Sequence, residues 1–225
     1  MHENESDSRP TILGVALDMD GLLFDTERLY WDVGDTVLQR RGHRYSHELQ
    51  QRMMGRVGVA AMQQMIDFHD LNDSPEDLLA ESDSLFGDKL ATDITPMGGL
   101  AEWIDLLDET DMPFGLATSS QRKFVDIILE TISWRHSMKF ILTGDDVTEG
   151  KPDPEMYLKA SVELGIAPST MLVLEDSGNG CAAAVAAGAY AVAIPNDHTR
   201  GQSFVGAKLI ADSLVDSRLW DLVRR

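Results

Sequence analysis

The chain has little of several things that proteins are commonly built around. Its 225 residues include one cysteine, Cys181, so no internal disulfide can form, and a reducing compartment, the cytoplasm, is expected. Cys181 sits in an Ala-rich run, which suits a small buried apolar residue better than a nucleophile. Basic residues are scarce: 19 Lys and Arg stand against 38 Asp and Glu, a formal net charge of −19. That balance opposes nucleic-acid and anionic-membrane partners, since both need a basic face. It also means that any anionic substrate would need local cations to offset the background field. The longest uncharged apolar run, 181–194, falls short of the ~20 residues a membrane span needs, and Gly188 breaks it into a helix and a strand. The opening ten residues, MHENESDSRP, have no apolar stretch, so neither a signal peptide nor an anchor is expected, and residues 1–10 read as disordered.

What is present begins with ILGVALDMDGLLFDTE, residues 12–27, where an apolar run stops at Asp18, Met19, Asp20 and Gly21. An unbroken apolar strand at 12–17 predicts burial on both faces. Past it, Asp18 and Asp20 are two positions apart and can flank one small site, where mutual repulsion invites a hard cation such as Mg²⁺. Asp25 or Thr26 is placed to cap a helix carrying Leu29, Val33 and Val37 on successive turns. From there to about residue 92 no strand pattern appears. Val59, Met62 and Ile66 recur at helical spacing, as do Leu78, Leu85 and Phe86, with polar turns at 42–47 and 70–75, so this stretch reads as a helical insertion. Its methionines, Met53, Met54, Met62 and Met65, read as core filler. Thr95-Pro-Met-Gly-Gly99 marks the return as a hinge.

After a helix with Leu100, Trp103, Ile104 and Leu107, strands and helices alternate. Strands are predicted at 113–118, 138–142, MLVLE, AYAVAIP and near KLIA, with helices between them, including one starting near Gly180. Units of this kind imply an α/β fold: a Rossmann-like parallel sheet with helices on both faces, whose ligands bind at the carboxyl ends of the strands. The expected division is a core of 11–26 and 96–225 with an all-helical cap at 27–95.

Four strand ends carry polar groups. The first has Asp18 and Asp20, and the second Thr118, Ser119 and Ser120. The third is followed by GDDVTEGKPDP with Lys151, and the fourth ends in Glu175 and Asp176 before SGNG. Taken singly, Thr118 and Ser119 could cap a helix and Lys151 could be solvated. The Gly144 to Lys151 stretch is not a P-loop, because five residues separate Gly144 from Gly150 and Pro152 stands where Ser or Thr is required. Acidic residues ending a strand as apolar as MLVL are costly unless bonded to hydrogen donors or metal. Together the groups suit phosphoryl transfer through an aspartyl phosphate: one Asp attacks phosphorus while the other moves protons. Mg²⁺ shared by the Asp pair and Asp176 would offset charge on nucleophile and phosphate, and Lys151 would add a second cation.

The motifs DMDGLLFDTE, LATSS, GKPDP and LEDSGNG, in this order, resemble those of the haloacid dehalogenase-like hydrolase superfamily over residues 12–212. The resemblance implies that Asp18 is the nucleophile and Asp20 the general acid and base, with the Asp20 backbone carbonyl on Mg²⁺. It implies that Thr118 binds phosphate, that Lys151 is the lysine of the third motif, and that Glu175 and Asp176 are the acidic pair, Asp176 the direct metal ligand. Ser119 joins Thr118 and Lys151 as an expected phosphate contact. Dehalogenases proper lack the second aspartate, so Asp20 argues against that activity. Phosphonoacetaldehyde hydrolases use a cap lysine, and the cap here has only Lys89, near its end. Beta-phosphoglucomutases place a His where this chain has Tyr30 and an Arg where counting from Gly55 reaches Gly58, with Arg56 out of register. The wording DMDGLLFDTERLY is similar instead to sugar-phosphate and pseudouridine-5'-phosphate phosphatases of the same subgroup.

The resulting expectation is a Mg²⁺-dependent phosphatase, monomeric and cytoplasmic, acting on a small-molecule phosphate ester: a sugar, polyol or nucleoside phosphate. Tyr30, Arg56 and the Gly55 to Gly58 loop are the candidate leaving-group contacts. The alternatives are a phosphomutase and a non-catalytic binding protein on the same fold.

Overall fold

The computed structural model describes residues 10–53, 56 and 58–224, so what was expected of residues 1–9, Met54 and Gly55 lies outside the described residues. The chain divides into two compact units, one made of the residues up to Asp25 and from Pro96 onward, the other Thr26–Thr95.

The first unit is a six-stranded parallel sheet in the order β3-β2-β1-β4-β5-β6. Its strands are β1 (Gly14–Leu17), β2 (Phe114–Ala117), β3 (Ile141–Leu142), β4 (Met171–Glu175), β5 (Tyr190–Ala193) and β6 (Leu209–Ile210). All four residues of β1 are buried, as an unbroken apolar run in a central strand requires. The order runs outward from β1 in both directions, so connections leave this strand and its neighbours toward opposite sides and open a crevice at their carboxyl ends. The register aligns Leu17 with both Leu116 of β2 and Leu174 of β4. The residues just past these three strands are thereby brought side by side. This is the α/β, Rossmann-like architecture that the alternation of elements implies.

Helices in this unit are α5 (Leu100–Glu109), α6 (Arg122–Thr131), α7 (Glu155–Leu164), α8 (Gly178–Ala186) and α9 (Ser217–Val223). Side chains of α7 and α8 form one buried cluster with the sheet: Met156, Tyr157 and Ala160 meet Ala16, Ala117 and Val173, beside Ala183 and Ala184. The alanines let α8 approach the strands closely. Fully buried Trp103 and Leu107 anchor α5. The α8 helix starts two residues before the expected Gly180, because the Ser177 hydroxyl caps it by accepting the Gly180 N–H at 3.1 Å. The third strand is shorter than the predicted 138–142 and follows a helical turn at Ser133–Ser137.

The second unit holds α1 (Glu27–Gln39), α2 (His47–Met53), α3 (Val59–His69) and α4 (Pro75–Asp93), with no strand among its described residues. Helix α2 was not visible as a periodic pattern, because Leu49 is its one buried residue. Arg41 ties the unit together by pairing with Asp73 and Glu81, each at 2.7 Å. Thr26 precedes α1 in helical conformation and makes no side-chain capping bond, contrary to expectation; its buried hydroxyl has no partner among the described residues. Where the chain returns, the Met97 N–H donates to the Leu23 carbonyl at 2.8 Å, so the departing and re-entering segments run side by side. No helix among the described residues is long and apolar enough to cross a membrane.

Two properties of the packing are testable. A Cβ on Gly115 would run into the Phe140 ring, so Gly115→Ala should lower the unfolding free energy by about 1–3 kcal/mol, read from the urea midpoint. Burial, reinforced by Glu175, pushes the Cys181 thiol up to about 12. In the native protein at pH 8 a thiol reagent should therefore react with Cys181 far more slowly than in the urea-unfolded chain.

Candidate active site

The site grows from the carboxyl ends of the central strands. Asp18 directly follows β1, and its N–H donates to the Leu174 carbonyl at 3.1 Å, which continues the β1–β4 ladder one residue past the strand. The chain then turns tightly, with the Gly21 N–H donating to the Phe24 carbonyl at 2.8 Å. Gly21 has φ +75°, and a Cβ there would sit 2.5 Å from Asp176 Oδ2, so both the backbone and the space demand glycine.

Lys151 reaches into this crevice from the loop before α7, where its side chain is only 6% exposed. Its Nζ donates to Asp18 Oδ1 at 2.6 Å, to Glu175 Oε1 at 2.6 Å and to the Ala117 carbonyl at 2.9 Å, using all three ammonium hydrogens. The solvated-lysine reading is thus excluded. Burial works against the ammonium, but the Asp18 and Glu175 charges outweigh it and hold the proton more firmly than on an ordinary lysine. Tyr157 donates its phenolic hydrogen to the same Glu175 oxygen at 2.6 Å, and its ring lies 5.0 Å from Lys151 Nζ. Glu175 Oε2 accepts from the Ser177 hydroxyl at 3.0 Å. Glu175 is thereby engaged at both oxygens, which answers the cost of ending an apolar strand in a carboxylate. Gly180 completes the fit, since a Cβ there would run into the Glu175 carboxyl.

Asp20 sits on the opposite branch of the network. Its Oδ2 accepts from the Thr118 hydroxyl at 3.0 Å and the Ser120 hydroxyl at 2.7 Å, while Oδ1 is buried with no hydrogen-bond partner among the described residues. Thr118 in turn accepts the Ser120 N–H at 3.0 Å. Neither Thr118 nor Ser119 caps the next helix; Gln121 occupies the position before α6.

Asp18, Glu175 and Asp176 each offer an oxygen within 4.8 Å of the others, and all three are buried. Three carboxylates face one ammonium, a shortage of positive charge. Asp18 shows the consequence: burial first, then the neighbouring Glu175, Asp176 and Asp20, lift its pKa well above the usual carboxylate range despite Lys151. An all-oxygen, acidic donor set is what a hard divalent cation takes, and such an ion would remove the excess. The residues present therefore fit a metal.

The structure brings together Asp18, Asp20, Thr118, Lys151, Glu175 and Asp176. Ser119 is exposed, and it is Ser120 that bonds Asp20. Tyr30 and Arg56 belong to the helical unit: Tyr30 stacks on Phe86 with ring centroids 4.1 Å apart, and Arg56 donates to the Arg52 carbonyl at 2.6 Å. Sequence reasoning noted Ser120 at the second strand end without giving it a role, and missed Tyr157 and Asn196. Asn196 follows β5 and bonds Asp176 Oδ2 at 2.8 Å, so inspecting the fifth strand end as well as the other four would have found it. Tyr157 gave no such signal, because it falls on the apolar face of α7 and looks like core.

The family model for the haloacid dehalogenase-like hydrolases matches residues 15–194. The chain is 32% identical over 216 residues to (DL)-glycerol-3-phosphatase 2 of Arabidopsis thaliana, covering 92% of this chain and 90% of the relative. It is 30% identical to the phosphorylated carbohydrates phosphatase of Thermotoga maritima, covering 77% of this chain and 81% of that one. Among solved structures, CbbY of Rhodobacter sphaeroides in complex with phosphate superposes with a TM-score of 0.75 at 25% identity, covering 90% of this chain and 95% of that one. Sheet order, the four polar strand ends and these likenesses agree: the chain belongs to the haloacid dehalogenase-like hydrolase family.

Proposed function

We propose that this hydrolase is a Mg²⁺-dependent phosphatase that cleaves a small phosphate monoester, a phosphorylated polyol, sugar or nucleoside, through an aspartyl phosphate on Asp18. The observation that carries the reading is the Lys151 ammonium clamped between Asp18 and Glu175 beside a buried carboxylate trio. The two phosphatases named above support the substrate class.

In this reading Lys151 fixes the Asp18 carboxylate by one oxygen and favours its ionised form against burial, so the other oxygen can attack phosphorus. As the P–O bond to Asp18 forms, the bond to the leaving oxygen breaks, and Asp20 gives that oxygen a proton. Asp20 Oδ2 is held by Thr118 and Ser120, which leaves Oδ1 as the atom that carries the proton. Asp20 then takes a proton from water, whose oxygen attacks phosphorus, releasing phosphate and restoring Asp18. When substrate binds, the Thr118 hydroxyl hydrogen turns from Asp20 to a phosphate oxygen, leaving Ser120 on Oδ2, and backbone N–H groups after β2 hold the other phosphate oxygens. Mg²⁺ would be held by Asp18 and Asp176 with the Asp20 backbone carbonyl, Glu175 supporting them, and would supply charge neutralisation between nucleophile and phosphate.

Two outcomes test this. Asp18→Asn should lower phosphate release from p-nitrophenyl phosphate at least about 10³-fold, and a chelator should abolish wild-type turnover until Mg²⁺ is restored. Wild-type-like turnover in Asp18→Asn would sink the nucleophile assignment. Lys151→Met should cost activity by about 100-fold and stability by about 3–5 kcal/mol, because it strands buried carboxylates. Removing the ammonium raises the Asp18 pKa further in the folded state, so the stability deficit should be largest near neutral pH and shrink as acid protonates Asp18, measured by urea denaturation across pH.

A further inference from the structure

We propose that Asn196, at the end of β5, is the positioning residue that aims the Asp176 carboxylate at the metal; this rests on the Mg²⁺ reading above. Its carboxamide spends both hydrogens on the site. Nδ2 donates to Asp176 Oδ2 at 2.8 Å and to the Gly21 carbonyl at 3.0 Å. One side chain thus joins the turn that carries Asp20 to the strand end that carries Asp176.

The orientation of the carboxamide follows from its other contacts. Oδ1 accepts the N–H groups of His198 at 2.8 Å and Thr199 at 3.2 Å, while the Asn196 N–H donates to Thr199 Oγ1 at 3.0 Å. A flipped amide would set its oxygen against the Asp176 carboxylate and the Gly21 carbonyl, and its NH₂ against two N–H donors. The loop after β5 is therefore a rigid bracket with one functional face. Gly21 closes that face from the other side, since a Cβ there would sit 2.6 Å from Asn196 Nδ2.

Asp176 is buried beside the carboxylates of Asp18 and Glu175, which repel it. The hydrogen bond from Asn196 holds Oδ2 against that repulsion and restricts the carboxylate's terminal torsion. Residues that bond a metal ligand from behind in this way commonly govern metal affinity by 10–100-fold.

The test is calorimetric titration of the metal-stripped full chain with Mg²⁺ alone, together with melting temperatures in chelator and in saturating Mg²⁺. Asn196→Ala should bind Mg²⁺ about 10–100-fold more weakly and lose much of the Mg²⁺-dependent gain in melting temperature. Where Asn196→Ala fails to fold, Asn196→Ser keeps a hydroxyl for the turn but cannot reach Asp176, and should show the same weakening. A dissociation constant within about twofold of wild type, with melting lowered equally in chelator and in Mg²⁺, would make Asn196 structural and overturn the proposal. No Mg²⁺ binding by the wild-type chain would overturn the metal reading itself, and this inference with it.

Discussion

The ammonium of Lys151 holds together a set of groups that would otherwise drive each other apart. Three buried carboxylates lie within 4.8 Å, and burial denies them the water that would screen their repulsion. Lys151 meets two of them at 2.6 Å and anchors itself on the Ala117 carbonyl, so a single charge links the ends of β1, β2 and β4. Tyr157 and Ser177 satisfy what remains of Glu175. The arrangement is still short of positive charge, and burial first, then the acidic neighbours, raise the Asp18 pKa. A buried set of carboxylates like this one fits a hard cation.

The sheet makes the cluster possible. Only in a parallel sheet do neighbouring strands end on the same edge, and only at the point where strand order reverses do their loops part to leave a crevice. Here β1 is that point, and the aligned register of Leu17, Leu116 and Leu174 brings the following residues level. Glycines at 21 and 180 then allow backbone and carboxylates to approach where any side chain would collide. The net charge of −19 is met locally, by a buried lysine and hydrogen donors, with no general basic surface.

Much of this could be read from the residues alone. Alternating strands and helices determined the α/β class, the strandless stretch determined an all-helical insertion, and polar residues at four strand ends marked Asp18, Asp20, Thr118, Lys151, Glu175 and Asp176. Each of these signals is local: a period, a breaker, or a charged residue ending an apolar run. Where local signals were weak, the reading failed. Helix α2 buries a single leucine, and Thr26 looks like a cap yet lies in helical conformation.

Only the tertiary structure decided which of the polar groups touch. It chose Ser120 over Ser119 as the partner of Asp20, because that choice depends on how the chain turns after β2. It made Tyr157 a donor to Glu175 although the sequence shows it as one apolar face residue among several. It brought Asn196 to both Gly21 and Asp176, residues 175 and 20 positions away. The sequence by itself determined the elements and the chemistry at their ends, because these depend on near neighbours. The pairing of those ends depends on sheet order and register, which join segments far apart in the chain.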